Sequence, residues 1–190
     1  MRDLGQVLQH QGKYEDAEQI SWQALKNHEE ALGYYQPETL MCVSNLATVI
    51  QLQGRYVQAE EVNRRALAGY TKALGADHPH TLRSMSNLAT VLQDEAKHAQ
   101  AEEMSRQALA AFEKTLGADH PDALTCTSNL VTMLQDQGKY EQADQLYQRT
   151  LRGDEKALRA DHVDLQRIEH CMEPQMIAKC VLTSVVRSES

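Results

Sequence analysis

The sequence predicts an all-α solenoid built from antiparallel helix pairs, and two observations lead to this fold class. First, four segments align at a fixed step of 42 residues, from 12 to 54, 96 and 138: Gly12–Ala17, Gly54–Ala59, Ala96–Ala101 and Gly138–Ala143. Second, apolar residues between these segments recur at three- and four-residue spacing, as on one face of a helix. A period of about 20 to 50 residues is typical of stacked repeat architectures.

Two further markers keep the same register. The pair Leu32-Gly33 recurs at 74, 116 and, with Arg in place of Gly, at 158. An Asn followed by Leu recurs at the positions Asn45, Asn87 and Asn129. Agreement of three independent markers excludes chance similarity.

The first helix of each unit, helix A, carries one apolar stripe. In the second unit it is predicted from about Thr39 to Gln53, followed by Gly54, which suits the left-handed turn that ends a helix. The inward positions of this helix are Val43, Leu46, Ala47 and Ile50.

The second helix of each unit, helix B, is predicted in the second unit from about Tyr56 to Leu74. Small residues at Ala59 and Ala66 favour a close approach of two helix backbones. The full set of inward positions is Ala59, Val62, Ala66, Leu67 and Ala73. Gly75 ends the helix, and Pro79 opens the next unit because proline fits the first turn of a helix.

The order of these motifs resembles the tetratricopeptide repeats of the kinesin light chain family. The likeness covers roughly residues 1–162, in units of about 1–36, 37–78, 79–120 and 121–162, of which the first is incomplete. The resemblance implies a right-handed superhelix whose A helices line a concave groove. In that family the groove binds short peptide segments of cargo or partner proteins.

The match weakens at both ends of the chain. Met1 aligns with Val43, so the first helix A lacks its opening turn, and the chain is expected to be a piece of a longer array. The segment 163–190 is degenerate, with Pro174 inside the expected helix, and is expected either to cap the last repeat or to be partly disordered. Repeat ends exposed at Leu4, Val7 and Leu8 allow a second reading, self-association by end-to-end stacking.

Composition narrows the classes of partner. A net charge of −8 and a pI near 5.5 argue against nucleic-acid binding and against docking on anionic membranes. The sequence contains neither a membrane-spanning apolar run nor a signal-peptide core at its N-terminus. The cysteines form no Cys-x-x-Cys pair, which favours reduced thiols in a cytoplasmic protein: Cys42, Cys126, Cys171 and Cys180.

The candidate binding surface is a stripe of hydroxyl and amide side chains on the A helices. Its members repeat at positions i, i+4 and i+7, which lie on one helix face. They are Ser44, Thr48, Gln51, Ser86, Thr90, Gln93, Ser128, Thr132 and Gln135. Charge concentrates in the B helices, so we expect a near-neutral groove that hydrogen-bonds a peptide backbone. The alternative is that near-identical units duplicate a solvated face.

Three other groups of residues are weighed as binding sites: the repeated asparagines, the positions of a carboxylate clamp, and the repeated histidines. The amides of Asn45, Asn87 and Asn129 are expected to be buried and satisfied locally. A carboxylate clamp is not expected, because its Asn position holds Gln6, Thr48, Thr90 or Thr132 and basic partners are missing.

The histidines of the Asp-His-Pro turns are interpreted as turn residues: His78, His120 and His162. Adjacent members lie on the order of 10 Å apart, too far to share one metal ion.

No catalytic signature or phosphate-binding loop is present in the sequence. The sequence therefore predicts a non-catalytic scaffold, without cofactor or metal, that binds a protein or peptide partner. The alternative is a structural assembly module, or one fragment of a larger sensor or adaptor protein.

Overall fold

The computed structural model describes residues 13–157, which form seven helices and no strand. These are α1 (Tyr14–Leu32), α2 (Pro37–Leu52), α3 (Tyr56–Leu74), α4 (Pro79–Asp94), α5 (His98–Leu116), α6 (Pro121–Asp136) and α7 (Tyr140–Ala157). Three predictions fall outside the described residues. They concern the first helix with Leu4, Val7 and Leu8, the turn residue His162, and the segment 163–190 with Cys171 and Cys180.

Each helix packs antiparallel against the next along the chain, and α4 also contacts α6 directly. The helices α2, α4 and α6 are therefore the inner A helices, and α1, α3, α5 and α7 are the outer B helices. The inner helices have 16 residues each, whereas α1, α3 and α5 have 19. This arrangement confirms the predicted all-α solenoid.

Within the described residues, alanine, leucine and valine form most of the core, which also contains Tyr70 and Phe112. The predicted stripe of α2 is buried at all four of its positions. Ala59 and Ala66 are fully buried, and their equivalents Ala101 and Ala108 in α5 are as well. The inward placement of Ala73 is wrong: its side chain is exposed because it lies in the last turn of α3, which is longer than the flanking A helices.

The turns between helices follow the predicted chemistry. Pro37 begins α2 two residues earlier than predicted. Gly54 and Gly138 adopt left-handed backbone after their A helices, with φ of 77° and 72°. In the turn between α4 and α5, Ala96 adopts the same left-handed conformation, with φ of 60°. The side chain of His78 accepts a hydrogen bond from the backbone of His80 at the start of α4.

A ladder of ion pairs joins successive units along the outer side. In each rung, a glutamate of one B helix pairs with a cation at the A–B turn of the next unit. The rungs are Glu18–Arg55 at 2.7 Å, Glu60–Lys97 at 2.6 Å and Glu102–Lys139 at 2.5 Å. The rungs repeat with the period of the sequence, so they hold the units in a common register.

Candidate functional site

The A helices lie closer to one another than the B helices do. The short side chains of Asn129 and Ser86 approach to 3.5 Å between α6 and α4. On the outer side, long arginines span the gap between α5 and α7, as in Arg106 to Gln142 at 3.0 Å and Arg149 to Glu113 at 2.6 Å. We therefore interpret the free face of the A helices as the concave side that the resemblance to kinesin light chain repeats implies.

The predicted hydroxyl and amide stripe runs along this face, with one correction. Thr48 and Thr132 are exposed. Six of the others are half-buried: Ser44, Gln51, Thr90, Gln93, Ser128 and Gln135. Ser86 is only 5% exposed, because its hydroxyl faces Asn129 of the neighbouring A helix instead of the groove.

The three threonine hydroxyls of the stripe already donate a hydrogen bond within their own helices. Those of Thr48, Thr90 and Thr132 donate to backbone carbonyls four residues earlier, at 3.1 to 3.2 Å. A hydroxyl has one donor but two acceptor lone pairs. The threonines are therefore available to a ligand as acceptors of N–H groups.

The glutamines tie the edge of the groove together. Gln51 donates through Nε2 to Asp94 of the next A helix at 2.6 Å. The Oε1 atom of Gln93 lies 3.0 Å from Nδ1 of His98 across the A–B turn. These two amides support the edge of the groove and are less available to a ligand than the threonines.

The expectation that the asparagine amides are buried is wrong. Asn45 is exposed, and Asn87 and Asn129 are half-buried beside the threonines. Among the described residues, no side-chain hydrogen bond is made by Asn87. The spacing could have revealed this, because Asn45 precedes Thr48 by three residues and so shares its helix face. The asparagines are therefore candidate ligand-binding residues that the sequence reasoning missed.

The A helices carry more charge than predicted: even α2 has a charged residue, Glu38, which is exposed in its first turn. Arg83 of α4 pairs with Asp122 of α6 through two contacts of 2.8 and 3.0 Å across the groove. Asp94 and Asp136 are exposed at the C-terminal ends of their helices. The concave face is thus amide-rich in the middle and acidic along one edge.

The repeated histidines act as helix caps. Nδ1 of His120 accepts from the backbone of Asp122 at 3.1 Å, as His78 does in the preceding unit. His80 stacks between Tyr70 and His78, with ring centroids 5.7 and 5.4 Å apart. Burial, helped by the nearby Arg83, lowers the pKa of His80. Within residues 13–157, no group of three His, Cys, Asp or Glu side chains is placed to hold a metal ion.

Two sequence profiles cover the array. A tetratricopeptide repeat model matches residues 39–114 and 86–156, and a second tetratricopeptide repeat model matches residues 1–38. The chain belongs to the tetratricopeptide repeat family. Members of this family generally serve as protein-interaction scaffolds, and none of the helices within residues 13–157 is long and apolar enough to cross a membrane.

Solved structures of other tetratricopeptide proteins share the fold. A Podosopora anserina protein described as a kinesin light chain with nearly identical TPR-like repeats is 25% identical, with a TM-score of 0.75 over 98% of this chain and 86% of that one. BtubC (BKLC) from P. vanneervenii is 19% identical, with a TM-score of 0.70 over 84% of this chain and 63% of that one. The first of these matches, together with the two repeat models, confirms the predicted likeness to kinesin light chain repeats.

A third solved structure includes a ligand. The Rap protein, complexed with competence and sporulation factor, is 18% identical, with a TM-score of 0.68 over 78% of this chain and 40% of that one. At this identity the match concerns the fold. A comparison with curated proteins gives no match.

Proposed function

We propose that the chain is a non-catalytic scaffold that holds an extended peptide segment of a partner protein in its concave groove. One observation carries the proposal: the same Asn and Thr pair recurs on the concave face of three successive A helices. The pairs are Asn45 and Thr48, Asn87 and Thr90, and Asn129 and Thr132.

The chemistry of the pair suits a peptide backbone. An asparagine amide has both a donor and an acceptor, so it can bind the C=O and N–H groups of one peptide unit together. The threonine oxygen beside it accepts a further N–H. None of these contacts depends on the side chains of the ligand, so the row of Asn and Thr pairs can hold the backbone of peptides with many different sequences.

The spacing of the ladder also fits an extended ligand. Packed helices lie about 8 to 10 Å apart, and an extended chain rises about 3.3 Å per residue. Each A helix therefore meets roughly every third residue of a peptide that crosses the three helices. The two intervals between three helices span about 16 to 20 Å, so a peptide of about seven residues reaches all three pairs and one of about nine residues extends past them.

The proposal places the scaffold in the cytoplasm. Within the described residues, neither Cys42 nor Cys126 forms a disulfide. Burial raises the pKa of the Cys126 thiol to about 11, so this group stays protonated and unreactive at neutral pH. Reduced structural thiols are typical of that compartment.

The test selects ligands from a random nine-residue peptide library displayed on phage and compares two variants. The groove variant combines Asn87→Glu with Thr90→Glu. The control combines Ala68→Glu with Thr71→Glu, which are exposed on the outer helix α3 at the same three-residue spacing. We expect the groove variant to bind selected peptides about tenfold more weakly or worse, since two or more hydrogen bonds of roughly 0.5 to 1.5 kcal/mol each are lost.

The control should keep its affinity, and both variants should keep the circular dichroism spectrum of the wild type. Loss of binding in the outer variant, with retention in the groove variant, would place the ligand on the convex face. Failure of the library to yield any peptide sensitive to the groove variant would also overturn the proposal.

A further inference from the structure

The A–B turn of the third unit differs from the turns of its neighbours. The second and fourth units have Gln53-Gly54 and Gln137-Gly138 at this point, whereas the third has Glu95-Ala96. A shallow surface cavity of about 610 Å³, widely open to solvent, lies between this turn and the preceding one, Gly54–Gln58. The departure from the repeat therefore coincides with a cavity at the edge of the stack.

The cavity is apolar on one side and acidic on the other. Val57 is 74% exposed and Tyr56 is 37% exposed, and both line it from the first turn of α3. Asp94 and Glu95 line the opposite side. The cation of this cavity, Arg55, is held by Glu18 at 2.7 Å and by Gln58. Glu95 is paired with Lys97, so Asp94 is the acid of the cavity that has no ion-pair partner among the described residues.

Within the described part of the chain, the carboxylate of Glu95 lacks a hydrogen-bond donor for one of its two oxygen atoms. Its side chain is 6% exposed, and one carboxylate oxygen pairs with Lys97. The other oxygen, Oε1, is buried without a hydrogen-bond partner among the described residues. In the second unit, the equivalent Gln53 donates its amide to the Tyr14 carbonyl and to Glu18. A carboxylate cannot donate in this way, and a buried acceptor left without a donor is destabilising. At the equivalent position of the fourth unit, the buried Nε2 atom of Gln137 also lacks a hydrogen-bond partner among the described residues.

We propose that this cavity binds the side chain of a lysine or arginine of the bound peptide. The aliphatic stem of such a side chain would pack on Val57 and Tyr56, and its charged head would donate to Asp94 and Glu95. Asp94 also accepts from Gln51 at the edge of the groove, so a peptide that leaves the groove there passes the cavity. The inference rests on the proposed peptide groove and names a basic residue as a feature of its ligand.

The experiment titrates the full chain, labelled at valine methyl groups, with Nα-acetyl-lysine N-methylamide and follows the Val57 signals by NMR. The uncharged isostere Nα-acetyl-norleucine N-methylamide serves as the second probe. We expect saturable shifts with the lysine probe and at least fivefold weaker binding of the norleucine probe. The double variant Asp94→Asn with Glu95→Gln should bind both probes equally weakly.

The matched control is Asp136→Asn, at the position equivalent to Asp94 in the next unit. It should leave the response of Val57 unchanged. Equal affinity for the two probes, or no response of Val57 to lysine, would overturn the assignment. An effect of Asp136→Asn as large as that of the double variant would overturn it as well.

The phage library separates this inference from the proposed function. If selected peptides depend on Asn87 and Thr90 but show no enrichment of Lys or Arg, the groove stands and the basic-residue cavity is wrong. If the lysine probe shifts Val57 while no selected peptide responds to the groove variant, the cavity binds cations and the proposed groove function is wrong.

Discussion

Ala96→Gly is expected to stabilise the protein, although the substitution removes a methyl group from the chain. Ala96 has φ of 60°, in the left-handed region that side chains with a Cβ atom disfavour. The turn is otherwise the same as in the neighbouring units. The backbone N–H of Lys97 donates to the carbonyl of Leu92 at 2.8 Å, as the backbone N–H of Lys139 donates to that of Leu134 at 2.8 Å. The strain is thus confined to the Cβ atom.

The magnitude follows from two opposing terms. A left-handed conformation costs an L-residue about 1 to 2 kcal/mol, which glycine avoids. Glycine also gives the unfolded chain more freedom, which costs roughly 0.4 to 1 kcal/mol. Ala96 is exposed, so no packing is lost. The middles of the two ranges, about 1.5 and about 0.7 kcal/mol, give a net gain of about 0.8 kcal/mol, or a rise in melting temperature of about 2 to 3 °C for a chain of this size.

The assay is urea denaturation followed by circular dichroism, with hydrogen exchange of the amides of α4 and α5 as a local measurement. The control is Ala110→Gly, an exposed position inside α5. There the same substitution should destabilise by about 1 kcal/mol, because glycine is a poor helix former. If Ala96→Gly lowers stability as much as Ala110→Gly does, the left-handed strain at this turn is not real.

Two further perturbations test the packing and the ion-pair ladder. Ala101→Leu should destabilise by about 1 to 3 kcal/mol in denaturant unfolding, because Ala101 is fully buried against Leu88 and Met133, whereas Ala99→Leu on the exposed side should be nearly neutral. The hydrogen bonds from Lys97 and Lys139 lower the pKa values of Glu60 and Glu102 below the usual value for a glutamate. Their stabilisation is therefore present above the unfolded pKa and is lost as the pH falls through the folded pKa values. The double variant Glu60→Gln with Glu102→Gln should therefore be less stable than wild type at pH 7. Its free energy of unfolding should fall less than that of wild type between about pH 5 and about pH 3. An equal fall in both proteins would contradict a stabilising role of the ion pairs.

The sequence predicts the helices well because residues with strong backbone preferences lie at the ends of most of them. Pro37, Pro79 and Pro121 begin the A helices, and glycines follow most of the helices at one fixed step. Small residues at Ala59 and Ala101 mark the close contacts, since only a small side chain fits where two helices touch. Local chemistry thus fixes the elements and the inward face of each helix.

The division between groove and interface could not be predicted in the same way. Ser86 and Asn87 are neighbours in sequence, yet the first is buried between A helices and the second faces the groove. Helical periodicity assigns the two residues directions about 100° apart, but only the position of α6 decides which direction is covered. That position depends on how the units stack, which the pattern within one unit does not encode.

Identical units raise a question of register that the differences between the units can answer. A ladder of equal Asn and Thr pairs would let a peptide backbone slide by one step with little change in energy. A unique register needs contacts that one unit has and the others lack. Such a contact exists where the repeat breaks: the third unit has Glu95 where the second and fourth units have Gln53 and Gln137. A basic residue held at that turn would fix the peptide at one position, and the equal pairs would then secure its backbone on either side.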